Sequence, residues 1–201
     1  MSETTAQGAP MGRRERKKAA TRQSLADAAL RLFLERGYDQ VGIRDIADAA
    51  DVSTTTLFKH FPVKEALVFD EEGDQEARLL DAVRERPEGQ SVVAALREHA
   101  LRHRVDAGDS GANFAAFAEL VENTPALRDY AQRMWLRHES ALAHALAEAT
   151  GAPADDPHCA ALAHFALEAP RIAQGHADGR ERVARAFDLL ERGWNGVGPG
   201  A

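Results

Sequence analysis

Residues 37–67, GYDQVGIRDIADAADVSTTTLFKHFPVKEAL, decide the fold of the first third of this 201-residue chain. Two short apolar-periodic segments are separated by the break Asp51-Val52-Ser53, which is the pattern of a helix-turn-helix. The apolar positions recur at helical spacing, so each helix has one apolar face, formed by Ile43, Ile46, Ala47 and Ala50 in the first and by Leu57, Phe58 and Phe61 in the second. We expect the two faces to pack together, with Ser53 capping the second helix.

The opposite face of the second helix is polar, and it predicts contact with DNA. It carries short hydroxyls, a cation and an imidazole: Thr54, Thr55, Thr56, Lys59 and His60. A helix of this kind fits the major groove, where hydroxyls reach phosphates or base edges. The alternative is an ordinary solvated surface, because threonine is a weak helix former. Six cations against one carboxylate in residues 13–18 and Arg22 favour a nucleic-acid arm over a solubilising tail.

The order of landmarks in this block resembles the TetR family of bacterial transcriptional regulators. A first helix runs into a Gly-aromatic turn at Gly37-Tyr38, followed by Arg44-Asp45-Ile46-Ala47, by Val52-Ser53 and by an aromatic-x-His-Phe helix. The resemblance covers residues 14–68, and the rest of the chain only in its helical pattern. It implies a DNA-binding set that consists of Arg44, Ser53, Thr54, Thr55, Thr56, Phe58, Lys59, His60 and Lys64.

Three positions depart from the family pattern. Phe58 stands where a tyrosine is usual, so a phenol contact to phosphate is lost, and Phe58 either packs or touches a thymine methyl. Gly42 stands where a Ser or Thr often begins the first motif helix, so a hydroxyl contact to phosphate is in doubt. Val63 replaces the usual Ser or Asn before Lys64, which weakens a helix cap by about 1 kcal/mol.

Composition is that of an ordinary globular protein, with 44% hydrophobic and 28% charged residues. The chain has no apolar run of membrane length, and residues 1–12 lack the apolar segment of a secretory signal, so we expect a disordered tail and a cytoplasmic protein. The single Cys159 excludes an internal disulfide and predicts a small buried side chain.

Net charge divides unevenly along the chain. Residues 1–64 carry 11 basic and 8 acidic side chains, whereas residues 65–201 carry 14 and 24, so the net charges are +3 and −10. A basic DNA-binding segment joined to an acidic segment can orient the protein on a polyanion, because the first is attracted and the second is repelled.

Beyond Lys64 the pattern predicts helix after helix, so we expect an all-α fold with about nine helices. We expect a helix-turn-helix domain over 13–62 and an effector-binding and dimerisation domain over 63–196. The predicted helices are 64–86, with Gly73 as a weak point, then 91–107, 113–122, 125–150, 157–175 and 178–194. Pro170 should kink or end the helix that contains it.

The last two helices carry apolar stripes that predict a pairing surface. In proteins that this chain resembles, the final two helices form a four-helix interface, and a symmetric homodimer is what a palindromic operator requires. The alternative is monomer core. The predicted interface residues are Leu162, Phe165, Val183, Phe187, Leu190 and Trp194.

The middle helices gather aromatic and apolar residues that predict the wall of a pocket for a small-molecule effector. The predicted wall is Phe114, Phe117, Leu120, Val121, Tyr130, Met134, Trp135 and His138, although plain core is an equally good interpretation of each. The segment from Thr124-Pro125 onward resembles actinobacterial members such as mycofactocin-system regulators, some of which are thought to sense acyl thioesters.

A metal site or an enzyme is the competing interpretation. His99 and His103 are four apart on one helix face, but no acidic residue follows the first histidine as in a zinc-protease helix. No nucleophile elbow, phosphate-binding loop or paired carboxylates stand out, so we expect no catalytic residue, cofactor or metal. We therefore expect a dimeric DNA-binding regulator, a repressor released by an apolar or amphipathic effector. The alternative is a metal- or ligand-dependent helical enzyme that retains a vestigial motif.

Overall fold

The computed structural model describes residues 12–102, 111–173 and 176–197, and of residues 111–114 and 195–197 it describes the backbone alone. Every regular element in these ranges is a helix, as the sequence predicts. The chain divides into two compact units, one up to Asp70 and one from Glu71 onward. No helix within the described ranges is both long and apolar enough to cross a bilayer.

The first unit contains three α-helices and a short 3₁₀ helix: α1 Arg13–Arg36, α2 Ile43–Ala49, α3 Thr54–His60 and Glu65–Leu67. The predicted apolar faces meet in its core through Ile46, Ala47, Leu57 and Phe61, but Phe58, which was predicted on the same face, is exposed. The core also contains Leu25, Leu32, Phe33 and Val41. Arg13 to Lys18 form the exposed first turns of α1.

The turn after α1 requires its glycine. Gly37 has φ 82° and ψ 152°, a region that side chains with a Cβ essentially do not enter. This conformation turns the chain so that Tyr38 packs on Phe33, with ring centroids 5.0 Å apart. The Gly-aromatic pair therefore fixes where α1 ends.

The second unit contains the remaining helices, α4 Glu72–Arg84, α5 Val92–Ala100, α6 Gly111–Asn123, α7 Pro125–Thr150, α8 Pro157–Glu168 and α9 Gly179–Val197. Its core joins α4, α5, α7, α8 and α9 around Val83, Leu96, Leu142, Leu146, Ala163 and Phe187. The predicted start and end of α7 are confirmed, because the helix begins at Pro125 and stops at Gly151, which has φ 70°. The predicted end of the 91–107 segment lies outside the described residues.

The predicted single helix over 64–86 is wrong. Ala66, Leu67 and Val68 are buried in the first unit, which holds them in a 3₁₀ turn instead of a continuous helix. A new helix, α4, begins at Glu72, where the carboxylates of its first turn suit the positive end of the helix dipole. Gly73 therefore lies in a first turn and marks no bend.

Pro170 ends its helix early, as predicted. The α-helical part of α8 stops at Glu168, and a 3₁₀ segment runs over Ala169–Ala173. Proline lacks a backbone N–H and crowds the preceding turn, so an α-helix rarely continues through it.

Candidate functional site

The turn of the helix-turn-helix is closed by backbone and hydroxyl bonds. Ser53 Oγ accepts a hydrogen bond from the Thr56 amide at 3.1 Å, which confirms the predicted cap, and it lies 2.9 Å from Thr56 Oγ1. The Val52 amide donates to the Ala47 carbonyl at 2.9 Å, and Asp51 adopts φ 54° to allow it. The hydroxyl groups of Ser53 and Thr56 therefore bond within the turn itself.

The first motif helix has a cap that the sequence did not reveal. The Gly42 amide donates to Asp45 Oδ2 at 2.7 Å, so a carboxylate three residues into the helix replaces the missing hydroxyl. This is half of a capping box.

The outward face of the motif is formed by Arg44, Thr55, Phe58 and Lys59, which are exposed, with Thr54 and His60 half-buried beside them. Phe58 is 50% exposed, so it is not a core residue, and packing inside the unit does not account for it. Within the described residues, Arg44 and Lys59 make no hydrogen bond or ion pair, so both cations are available to an external anion.

Lys64 is engaged inside the first unit. Its Nζ donates to the Tyr38 carbonyl at 2.6 Å and lies 3.9 Å from the centroid of the Tyr38 ring. Burial lowers the pKa of this ammonium, while it raises the pKa of the Tyr38 phenol, with Glu65 adding to the second effect. Lys64 therefore holds the Gly-aromatic turn against the segment that follows α3, a role that the sequence did not indicate.

Arg22 makes contacts that sequence reasoning missed, because the sequence only counted it among the N-terminal cations. Its guanidinium donates to the carbonyl oxygen of His60 at 3.0 Å and to that of Asp70 at 2.6 Å. The guanidinium carbon lies 4.3 Å from the centroid of the Phe61 ring.

His60 is the last residue of α3, and its surroundings disfavour the protonated imidazole. Partial burial first, and then the nearby cations Arg22 and Lys18, lower the pKa of its imidazole below the ordinary value.

A helix-turn-helix with an exposed second helix, followed by a unit whose described elements are all helices, defines a DNA-binding transcriptional regulator of the helix-turn-helix class. The sequence profile of bacterial regulatory proteins, tetR family, matches residues 25–70. The HTH-type transcriptional regulator TcmR of Streptomyces glaucescens is 34% identical over 151 residues, which are 72% of this chain and 67% of TcmR. The chain therefore belongs to the TetR family of bacterial transcriptional regulators.

Two further comparisons agree with this assignment. MftR of Mycobacterium tuberculosis (strain ATCC 25618 / H37Rv), a proposed mycofactocin biosynthesis transcriptional regulator, is 25% identical over 144 residues, which are 70% of this chain and 71% of MftR. The structure of a SmeT–triclosan complex superimposes with a TM-score of 0.57 over 90% of this chain and 96% of that one, at 18% identity, a likeness of fold.

The predicted effector wall is only partly apolar in the structure. Phe117, Leu120, Val121, Met134 and Trp135 are half-buried, and the side chain of Phe114 lies outside the described residues. Tyr130 Oη donates to Glu72 Oε2 at 2.9 Å, and Arg137 pairs with the same carboxylate. His138 is 2% exposed, with Nε2 3.3 Å from Glu76 Oε2. We call these five residues, Glu72, Glu76, Tyr130, Arg137 and His138, the α4–α7 clasp.

The predicted dimer interface needs a correction. Leu162, Val183 and Phe187 are 4%, 0% and 1% exposed and belong to the core of the second unit, so they leave almost no surface for a second copy. Leu190 and Trp194 are partly buried against that core, whereas Phe165 is 55% exposed. The predicted stripes lie on α8 and α9, but their buried residues Leu162, Val183 and Phe187 pack into the core of the same chain.

Beside Phe165 lies a groove of about 420 Å³, and two of its lining residues, Phe165 and Leu190, belong to the predicted interface. It is lined by Phe165, Glu168, Ala169, Arg171, Ile172, Ala186, Leu189 and Leu190. Ile172 and Leu189 are 48% and 65% exposed, so the surface is apolar and open.

The histidine pair cannot be placed as a pair. His99 is buried in α5, and His103 lies outside the described residues. Within the part of the chain that the structure describes, no three His, Cys, Asp or Glu side chains cluster as metal ligands would.

Proposed function

We propose that this regulator binds a palindromic operator as a cytoplasmic homodimer and acts as a repressor that an apolar or amphipathic small molecule releases. The observation that carries the DNA-binding part is the outward face of the motif, where Arg44 and Lys59 are exposed and make no internal bond among the described residues. Regulators of this family are often repressors, which supports the sign of regulation.

The contacts to DNA are divided between reading and positioning. Arg44, on α2, has a fork of donors that can grip a guanine edge, and Thr55 and Phe58 offer a hydroxyl and an apolar edge to neighbouring bases. Lys59 serves as a phosphate contact. Ser53, Thr56 and Lys64 support this surface, because their polar groups already bond within the first unit.

Release by an effector requires two states of the second unit with different affinity for the ligand. The α4–α7 clasp gives α4 a defined position, because both of its first two turns are held by side chains of α7. A ligand that binds beside Tyr130, Met134 and Trp135 shifts α4 when its affinity is higher for the state in which the clasp is open. The SmeT–triclosan complex supports the ligand class, since SmeT has this fold and binds a small apolar molecule.

The groove beside Phe165 is our proposed contact surface between two copies. A twofold axis brings the same patch of both copies together, so exposed apolar side chains meet their counterparts. Arg171 Nε lies 3.5 Å from Glu168 Oε2 within one chain. Across such an axis, each of these side chains can instead pair with its opposite charge on the second copy. This surface replaces the core residues of the sequence-based prediction and keeps the same helices.

Selection from a pool of random DNA duplexes tests the proposal. The purified protein should enrich an inverted repeat, and titration of that duplex should give two protomers per site. An Arg44→Ala variant should lose about 1–3 kcal/mol on the enriched duplex and become indifferent at one base pair of each half-site, whereas Lys59→Ala should weaken all duplexes alike. The absence of any enriched sequence would contradict the DNA-binding function.

A further inference from the structure

One guanidinium in the first unit bridges two points of the chain that are ten residues apart. Arg22 projects from α1, and its two terminal nitrogens donate to His60 and Asp70 carbonyl oxygens at 3.0 and 2.6 Å. The Phe61 ring lies against the same group at 4.3 Å from its centroid. These contacts hold the guanidinium on three sides.

The two carbonyls occupy special positions. His60 is the last residue of the recognition helix α3, where carbonyl groups lack partners inside the helix and a cation is favoured by the helix dipole. Asp70 is the last residue of the first unit, and α4 begins two residues later at Glu72. The bridge therefore joins the end of the DNA-reading helix to the chain segment that leads into the effector unit.

Arginine is suited to this bridge, and lysine is not. The guanidinium is planar and holds its donors in a fixed fork, so its two nitrogens keep a set distance between the carbonyls that they bind. A movement of the Asp70 carbonyl should therefore move the His60 carbonyl with it, because both are bound to the same guanidinium. A lysine ammonium is a single point on a flexible stem and imposes no such distance.

We propose that Arg22 is a positioning residue that sets the orientation of the recognition helix and couples it to residues 68–72, the entry to α4. This inference rests on the proposed function, because it gives a route by which an event in the effector unit changes operator reading. Arg22 is half-buried and its donors are occupied, so it does not act as a phosphate contact of the N-terminal cation run.

Lys18 supplies a matched control. It lies one turn before Arg22 on α1, carries the same charge and is exposed. Both cations lower the pKa of His60, so the two variants Arg22→Gln and Lys18→Gln remove the same charge from the same neighbourhood. Only Arg22→Gln removes the bridge.

The first measurement compares the enriched operator with a scrambled duplex at several salt concentrations. Arg22→Gln should weaken operator binding about tenfold or more with little change on the scrambled duplex and in the salt dependence, because positioning affects base contacts. Lys18→Gln should weaken both duplexes alike and reduce the salt slope by about one. Equal behaviour of the two variants would overturn the positioning role.

The second measurement follows hydrogen exchange of the full-length protein with and without the operator duplex. In the wild type, DNA should slow exchange in α3 and also in residues 68–72. In Arg22→Gln, protection of α3 should remain at saturating DNA while protection of 68–72 is lost. If 68–72 stays protected in the variant, coupling does not pass through Arg22, and the proposal fails.

A third variant separates the bridge from simple folding. Arg22→Lys keeps the charge and the apolar stem, so it should retain wild-type helix content and melting behaviour but not the specificity ratio. If Arg22→Lys has the wild-type ratio of operator affinity to scrambled-duplex affinity, the planar pair of guanidinium donors is not required, and the proposal is overturned.

If no duplex is enriched by the wild type, the DNA-binding function fails independently of the Arg22 bridge. Free-protein exchange still tests the bridge, because Arg22→Gln, unlike Lys18→Gln, should speed exchange in α3 and 68–72 together.

Discussion

At the scale of single residues, the exposed ring of Phe58 is the clearest departure from its family. A ring that is 50% exposed on the reading face contributes little to the core, so its substitution should act on DNA binding. Phe58→Ala should weaken operator binding by about 1 kcal/mol and leave the melting temperature nearly unchanged. Phe58→Tyr should strengthen binding to all duplexes, because the phenol can donate to a phosphate. Equal operator affinity of all three proteins would remove Phe58 from the interface.

His60 gives a prediction about pH. Its pKa is lowered in the folded protein, so as pH falls below the ordinary value of about 6.5 the unfolded chain takes up a proton before the folded one does. The contribution of His60 to stability is therefore complete above that value and is lost as pH falls through the folded pKa. NMR titration of the imidazole should give a value below 6.5 that rises in Lys18→Gln, where one nearby cation is removed. An unchanged value in that variant would mean that burial and Arg22 set the pKa of His60 without Lys18.

At the scale of elements, the turn of the helix-turn-helix depends on one left-handed residue. Asp51 has φ 54°, which aspartate tolerates and a β-branched residue does not. Asp51→Val should lower the free energy of unfolding by about 1–2 kcal/mol, while Asp51→Gly should change it by less than about 1 kcal/mol. Asp48→Val, on the exposed face of α2, is the control and should cost less than about 0.7 kcal/mol. Chemical denaturation measures all three, and a tolerated valine at 51 would contradict the strain.

Some helix limits could be predicted from the sequence, and others could not. The helix-turn-helix and the limits of α7 were predictable because Ser53, Pro125 and Gly151 act through their immediate neighbours. The break before α4 was not, because helical spacing continues through Ala66 and Leu67 and only burial in the first unit bends the chain there. The roles of Arg22 and Lys64 depend on carbonyls 26 or more residues away, and periodicity carries no signal for such bonds.

At the scale of the whole molecule, the separation of charge along the chain fits the division of labour. The unit that carries the recognition helix, residues 1–70, has 11 basic and 10 acidic side chains, a net charge of +1, whereas the other unit, residues 71–201, has 14 and 22, a net charge of −8. The charge of each segment was readable from the sequence. The surface that we propose between two copies was not readable from the sequence, because an amphipathic stripe has the same pattern whether it packs on its own core or on a partner.

The proposed dimer surface therefore supplies a prediction that distinguishes interface residues from core residues. Leu189→Asp should keep helix content and melting temperature close to wild type, because the side chain is 65% exposed in one chain, and should give a monomer that no longer binds the operator with high affinity. Phe187 is two residues away but only 1% exposed. Phe187→Asp should unfold the second unit, because an unpaired buried carboxylate lowers the free energy of unfolding by about 3–5 kcal/mol.

Leu136→Asp is the matched control for this experiment. Leu136 is a leucine of similar exposure, 58%, on α7, and it does not line the groove beside Phe165. Light scattering should find this variant dimeric, with operator binding intact. Because a symmetric interface contains each residue twice, Leu189→Asp places two carboxylates in the contact, and the loss of affinity between copies should exceed that of a single substitution in an asymmetric contact. A Leu189→Asp protein that stays dimeric would move the interface away from the groove, and a monomeric Leu136→Asp protein would move it to α7.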